Sequence, residues 1–106
     1  MNDELITMNE VFNDGNKIYF YQDQNTGMWK TYGYSAYLLS QVASNDHIAS
    51  FSEYMQMPCT CITDTTFKSI VKENMKTISL KENYYELLTE LSIGTESYQK
   101  WVVSLK

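Results

Sequence analysis

The chain has 106 residues, of which 43% are hydrophobic and 20% charged, a composition typical of one globular domain rather than of a disordered segment. Thirteen acids and eight lysines give a net charge of −5, and arginine does not occur. Because arginine is the side chain best suited to read phosphate and guanine, its absence argues against a nucleic-acid partner.

The sequence contains no apolar run long enough to span a bilayer, so no membrane partner is expected. The opening residues, Met1-Asn2-Asp3-Glu4, are polar or acidic, and no secretory signal is predicted from them. One proline and four glycines leave no candidate for a flexible linker. We therefore expect a cytoplasmic protein that forms a single α+β domain over residues 1–106.

The N-terminal third has the patterns of an antiparallel sheet. Its first segment has partial strand character and leads into Asp14-Gly15, a pair typical of tight hairpin turns because both positions tolerate positive φ. The next two segments are rich in aromatic residues and flank a loop at Asn25-Thr26-Gly27. The predicted strands are residues 4–12, 17–21 and 28–34, which together form a three-stranded β-meander over residues 1–34.

Helical spacing replaces this pattern after residue 34. Ser35 is placed to cap a helix, and residues 35–57 are predicted as a helical connection whose last ten residues fit either a helix or a strand. Pro58 should end that segment, and Cys59 to Ile62 is a candidate fourth short strand.

The C-terminal half, residues 58–106, is predicted to be mainly helical. Thr63 or Asp64 is placed to cap one helix, Ser79-x-x-Glu82 is a capping box for a second, and Thr95 caps a third. The predicted class is therefore α+β, with a three-stranded antiparallel meander packed by three to five helices.

Catalytic and metal-binding residues are sparse. His47 is the only histidine, so a nucleophile–base pair would join it to Cys59 or Cys61, and no local signature accompanies either pair. The ligand set His47, Cys59, Cys61 and Asp64 lacks the second matched pair of a structural zinc site. We predict no catalytic residues, no metal and no cofactor. A small-molecule site or minor enzyme using His47 and Cys59 or Cys61 stays open as an alternative.

The aromatic hairpin supplies the candidate binding surface. If residues 25–27 form the loop, Gln24 pairs with Met28, and two aromatic faces result. One face would hold Ile18, Phe20, Met28, Tyr32 and Tyr34, and the other would hold Tyr19, Tyr21, Trp29 and Thr31. A sheet with one solvated face should alternate apolar and polar residues, and this hairpin does not. Either helices cover both faces, or one face binds a partner.

The sequence therefore predicts a small acidic protein-binding module without enzymatic activity, such as an inhibitor or regulator of the kind that phages and other mobile elements encode. The predicted contact residues are Tyr19, Tyr21, Trp29 and Thr31, with Asp14 and Asp23 at the adjoining turns. Residues 1–60 carry seven acids and two lysines, a balance that favours a basic protein partner. The alternative is a homodimer that buries the second aromatic face.

Overall fold

The computed structural model describes residues 3–43, 47–81, 83–90 and 94–106. Within them it contains four helices and one six-stranded antiparallel sheet, so the α+β class is confirmed and the three-stranded meander is wrong. The elements in chain order are α1 (Asp3–Val11), β1 (Lys17–Gln22), β2 (Trp29–Tyr32), α2 (Gly33–Val42), β3 (Ile48–Ser52), β4 (Met57–Ile62), α3 (Asp64–Glu73), β5 (Ile78–Leu80), β6 (Tyr85–Leu88) and α4 (Thr95–Leu105).

The sheet is built from three hairpins, each of which follows a helix along the chain. Strands β1 and β2 form the central hairpin, and the full order is β3-β4-β2-β1-β6-β5, with every neighbouring pair antiparallel. The candidate strand at Cys59 to Ile62 is present as part of β4, which pairs with both β2 and β3.

The first predicted strand is instead the helix α1. Ile6 and Glu10, four residues apart, face inward, and Asp3 and Glu4 lie in the first turn, where carboxylates favour a helix. The Asp14-Gly15 pair connects this helix to β1 rather than joining two strands. Asn13 Oδ1 accepts hydrogen bonds from the backbone N–H groups of Gly15 and Lys17, at 2.9 and 3.3 Å.

The middle of the chain also differs from the predicted helical connection. Helix α2 begins at Gly33, and Ser35, the predicted cap, is a buried residue within its first turns. Residues 48–52 form β3, and Pro58 lies inside β4 rather than at the end of an element. Pairing between β3 and β4 determines that both segments are extended, and in this pairing Phe51 lies directly opposite Pro58.

The prediction that the C-terminal half is mainly helical is wrong for the segment between α3 and α4. The segment predicted to follow a Ser79 capping box forms β5 and β6, closed by a hydrogen bond from Lys81 N to Tyr84 O at 2.8 Å; Glu82 lies outside the described residues. Strand β6 pairs with β1, where Leu87 lies opposite Ile18, and this pairing outweighs the local helical spacing. The two flanking helices are confirmed, with Thr63 Oγ1 accepting from Thr66 N to cap α3.

Helices cover both faces of the sheet. On one face, Leu38 and Leu39 of α2 and Phe67 and Ile70 of α3 pack on the strands around Phe20. On the other face, Ile6 of α1 packs on three tyrosines, which are Tyr19, Tyr21 and Tyr32. No helix among the described residues is long and apolar enough to cross a membrane.

Candidate functional site

The loop of the aromatic hairpin is one residue longer than predicted. Asp23 N donates to Met28 O at 2.8 Å, so the loop comprises residues 24–27. Tyr21 then lies opposite Lys30, and Gln22 lies opposite Trp29. The predicted register is therefore wrong by one residue. Since side chains alternate along a strand, this slip moves every β2 side chain to the face opposite the predicted one.

Two of the predicted contact residues, Trp29 and Thr31, consequently lie on the face covered by α2 and α3. The Trp29 ring stacks on Phe67 with 3.7 Å between centroids, and its Nε1 donates to Asp64 Oδ1 at 2.9 Å. Thr31 is fully buried, with its hydroxyl donating to Thr60 O at 3.4 Å. Both side chains belong to the interior of the domain.

Tyr19 and Tyr21 lie on the other face, beneath α1. Both are buried, and the Tyr21 hydroxyl accepts a hydrogen bond from Asn9 Nδ2 at 2.9 Å. Burial raises the pKa of each phenol above its usual range. The four residues predicted as one contact surface are therefore divided between two covered faces, and they do not form a common surface.

The two predicted acidic residues are at the turns, as their sequence positions imply. Asp14 is exposed in the turn after α1. Asp23 accepts from Asn25 N at 2.9 Å and forms an ion pair with Lys30 at 3.3 Å. The hydrogen bond from the Asn25 N–H has the largest effect and the interaction with Lys30 the next largest, and both hold the pKa of Asp23 below its usual range. Asp23 is thus engaged locally, whereas Asp14 is free to face a partner.

A separate apolar surface lies on α1 and on Phe12, the residue that follows it. Met8, Val11 and Phe12 are 57%, 70% and 70% exposed. With Glu4, which is also exposed, they are spaced i, i+4, i+7 and i+8 and therefore share one side of the helix. We call these four residues the α1 outer stripe. The spacing is visible in the sequence, but it is lost when residues 4–12 are interpreted as a strand.

The inner side of α1 is fixed by a buried polar network around Glu10. Glu10 Oε1 accepts from Ser35 N at 3.1 Å, and its Oε2 lies 2.6 Å from Ser35 Oγ. Asn13 Nδ2 donates to Lys17 O at 2.8 Å, and Tyr19 N donates to Ser35 Oγ at 3.0 Å. Burial raises the pKa of Glu10 from 4.5 to about 7, against the opposing effect of the hydrogen bonds from Ser35 and Asn13. These bonds fix which side of α1 faces solvent.

Acidic groups surround the α1 outer stripe. Residues 3–16 contain no lysine, and their carboxylates outside the interior are those of Asp3, Glu4 and Asp14, since Glu10 is buried on the inner side of α1. Tyr54, which is 81% exposed, donates its hydroxyl to Asp3 Oδ2 at 2.6 Å and so places an aromatic ring at the first turn of the helix. The surface is apolar in its centre and acidic at its ends.

A separate group of side chains of metal-binding types lies near the C-terminal end of β4. Cys61, Met28 and His47 line a cavity of about 260 Å³, which we call the Cys61 cavity. Cys61 Sγ lies 3.9 Å from Met28 Sδ. Burial raises the pKa of the Cys61 thiol, while Lys30 acts to lower it. Of the two nucleophile–base pairs left open as an alternative, the fold therefore brings His47 and Cys61 to one cavity.

Cys59 and Asp64 do not line this cavity. Cys59 packs against the tyrosine cluster beneath α1, where burial raises its thiol pKa to about 11. Asp64 is occupied by Trp29 and by an ion pair with Lys68 at 2.9 Å. The four-residue ligand set considered from the sequence is therefore not assembled. No group of three or more His, Cys, Asp or Glu side chains suited to a metal ion occurs among the described residues.

Comparison of the chain with protein-family models, with curated proteins and with solved structures found no match.

Proposed function

We propose that the protein is a small acidic binding module without enzymatic activity, and that its contact surface is the α1 outer stripe rather than the aromatic hairpin. The observation that carries this proposal is the exposure of Met8, Val11 and Phe12 on one side of a helix whose other side is fixed by Glu10 and Ile6. The partner is a basic protein.

The three apolar side chains of the stripe contribute binding energy through burial. Full burial of a residue such as Val, Met or Phe contributes about 1.5–3 kcal/mol, so burial of the three residues contributes at most about 4.5–9 kcal/mol to binding. The helix itself is held by the buried hydrogen bonds of Glu10 to Ser35. It presents the stripe as a preformed surface, which reduces the ordering cost on binding.

The charges around the stripe favour a basic partner. Glu4 lies within the stripe and Asp14 lies just beyond its C-terminal end, with no lysine between residues 3 and 16. A partner with lysines or arginines around an apolar patch would complement this arrangement and associate quickly. A second copy of the chain also carries a net charge of −5 and would place like charges together, so the charge disfavours a homodimer through this surface.

The test compares two valines of equal exposure. The protein is immobilised and used to retain proteins from a lysate of the source organism, with variants Val11→Asp and Val103→Asp in parallel; both valines are 70% exposed, but Val103 lies on α4. We expect a basic protein that wild type and Val103→Asp retain and that Val11→Asp loses. Its purified form should bind more weakly as salt is raised.

Two outcomes would contradict the proposal. One is a partner lost with Val103→Asp and retained with Val11→Asp, which would place the contact on α4. The other is a dimer in light scattering that Val11→Asp converts to a monomer, which would assign the stripe to self-association. Circular dichroism of each variant checks that the fold is retained.

A further inference from the structure

The Cys61 cavity contains two sulfur atoms of different residue types in contact. Cys61 lies on β4, and Met28 lies at the end of the hairpin loop next to β2. Their sulfurs are 3.9 Å apart. If each sulfur were about 2.3 Å from one ion, as in metal–sulfur sites, the angle at the ion would be about 116°. That angle is close to those of trigonal and tetrahedral coordination.

His47 supplies a third donor to the same cavity. Its Nδ1 is buried and has no hydrogen-bond partner among the described residues. A buried polar nitrogen without a partner costs about 1–3 kcal/mol, and coordination to a cation removes that cost. His47 precedes β3, whose first residue, Ile48, pairs with Cys61, and both His47 and Cys61 line the cavity.

We propose that Met28, His47 and Cys61 form a binding site for monovalent copper. Thiolate and thioether are soft ligands that select Cu(I), and imidazole also suits copper. Three donors satisfy Cu(I), whereas structural zinc takes four, and no further His, Cys, Asp or Glu completes a cluster among the described residues. Calcium and magnesium are excluded because they need oxygen ligands.

The proposed site is independent of the α1 outer stripe. Its ligands are the residue before β2, the residue before β3, and a residue of β4, and none belongs to α1. Binding of Cu(I) replaces the thiol proton with the metal ion and involves no change of oxidation state. A result that contradicts one of the two proposals therefore does not contradict the other.

The test is a competition for Cu(I) under anaerobic, reducing conditions. Reduced protein is titrated into the coloured complex of Cu(I) with bicinchoninate, and the copper removed per chain is measured. We expect one Cu(I) per wild-type chain. Cys61→Ser should weaken binding about 100-fold or more, and Met28→Leu, which keeps the size and hydrophobicity of the side chain, should weaken it at least about tenfold.

Cys59→Ser is the matched control, because Cys59 is two residues from Cys61 on the same strand but packs on the tyrosine cluster instead of lining the cavity. It should keep the wild-type affinity. The proposal is overturned if wild type removes no copper from the chelator, or if Cys59→Ser loses as much affinity as Cys61→Ser. It is also overturned if Met28→Leu, folded by circular dichroism, binds as wild type does, or if Zn(II) binds with equal stoichiometry and greater affinity.

Discussion

Glu10 gives the most specific prediction about stability. Its carboxyl group is buried between α1 and α2, and burial raises its pKa from 4.5 to about 7. At about 1.4 kcal/mol per pH unit, this difference corresponds to about 3 kcal/mol. Because the folded state holds this proton more tightly than the unfolded state, the free energy of unfolding should fall by that amount as the pH rises from 4.5 to 7.

The substitution Glu10→Gln removes the titration and keeps the shape of the side chain. The glutamine carbonyl can still accept from Ser35 N, and its amide can donate to Ser35 Oγ, which in turn lies 3.4 Å from Lys17 O. The variant should be about as stable as wild type at pH 5 and up to about 3 kcal/mol more stable at pH 8. Urea unfolding followed by tryptophan fluorescence at pH steps from 5 to 8 measures both curves.

The control is Glu4→Gln, which removes an exposed carboxylate from the same helix and should keep the wild-type dependence on pH. Asp23 and Asp64 have lowered pKa values, so their contributions are lost only as the pH falls below 3.8 and do not overlap the window tested. Parallel curves for wild type and Glu10→Gln between pH 5 and 8 would refute the reasoning.

Four further substitutions test the fold by urea unfolding at pH 7. Gly33→Ala should cost about 1–3 kcal/mol, because φ is +59° and the new Cβ would lie 2.9 Å from Glu10 Oε1; Gly27→Ala, with φ +74° and no atom within 4 Å, should cost less. Trp29→Ala should cost about 3–5 kcal/mol, since it empties a buried stacked position, and a cost below 1 kcal/mol would contradict its placement in the core. Thr63→Ala should cost about 1 kcal/mol through loss of the α3 cap, and an unchanged midpoint would count against that cap.

Local signals predicted the elements that local contacts determine. Helix α3 begins where the Thr63 cap indicates, and α4 begins at Thr95. Strand β1 coincides with the aromatic run that starts at Lys17. The Thr63 cap directly precedes α3, and the side-chain pattern of β1 lies within the strand. The predicted cap of α4 is wrong, because its N-cap is Gly94 and Thr95 is the first helical residue.

The remaining elements depend on contacts between distant residues. Residues 78–88 have helical spacing, but Leu87 pairs with Ile18, which is far away in sequence. The residues next to Glu10 in sequence do not indicate that it is buried. Only the fold shows that its carboxyl group is buried and forms hydrogen bonds with Ser35 and Asn13. Sequence spacing alone does not provide these partners.

The faces of the aromatic hairpin were predicted wrongly because of one turn. A loop of four residues rather than three changes the partner of Trp29 and reverses the faces of β2. The turn is set by Asp23, which accepts from both Asn25 N and Gly27 N, and this arrangement competes with the shorter loop that Gly27 suggests. The stripe on α1 became visible once residues 3–11 were seen to be helical.

The most direct test of the binding proposal follows two methionine methyl groups by NMR in the presence of the retained basic protein. Met8 lies in the α1 outer stripe and is 57% exposed, whereas Met75 is 74% exposed and follows α3. We predict that adding the partner shifts or broadens the Met8 signal and leaves that of Met75 unchanged. A perturbed Met75 signal with an unchanged Met8 signal would contradict the assignment of the contact surface to α1.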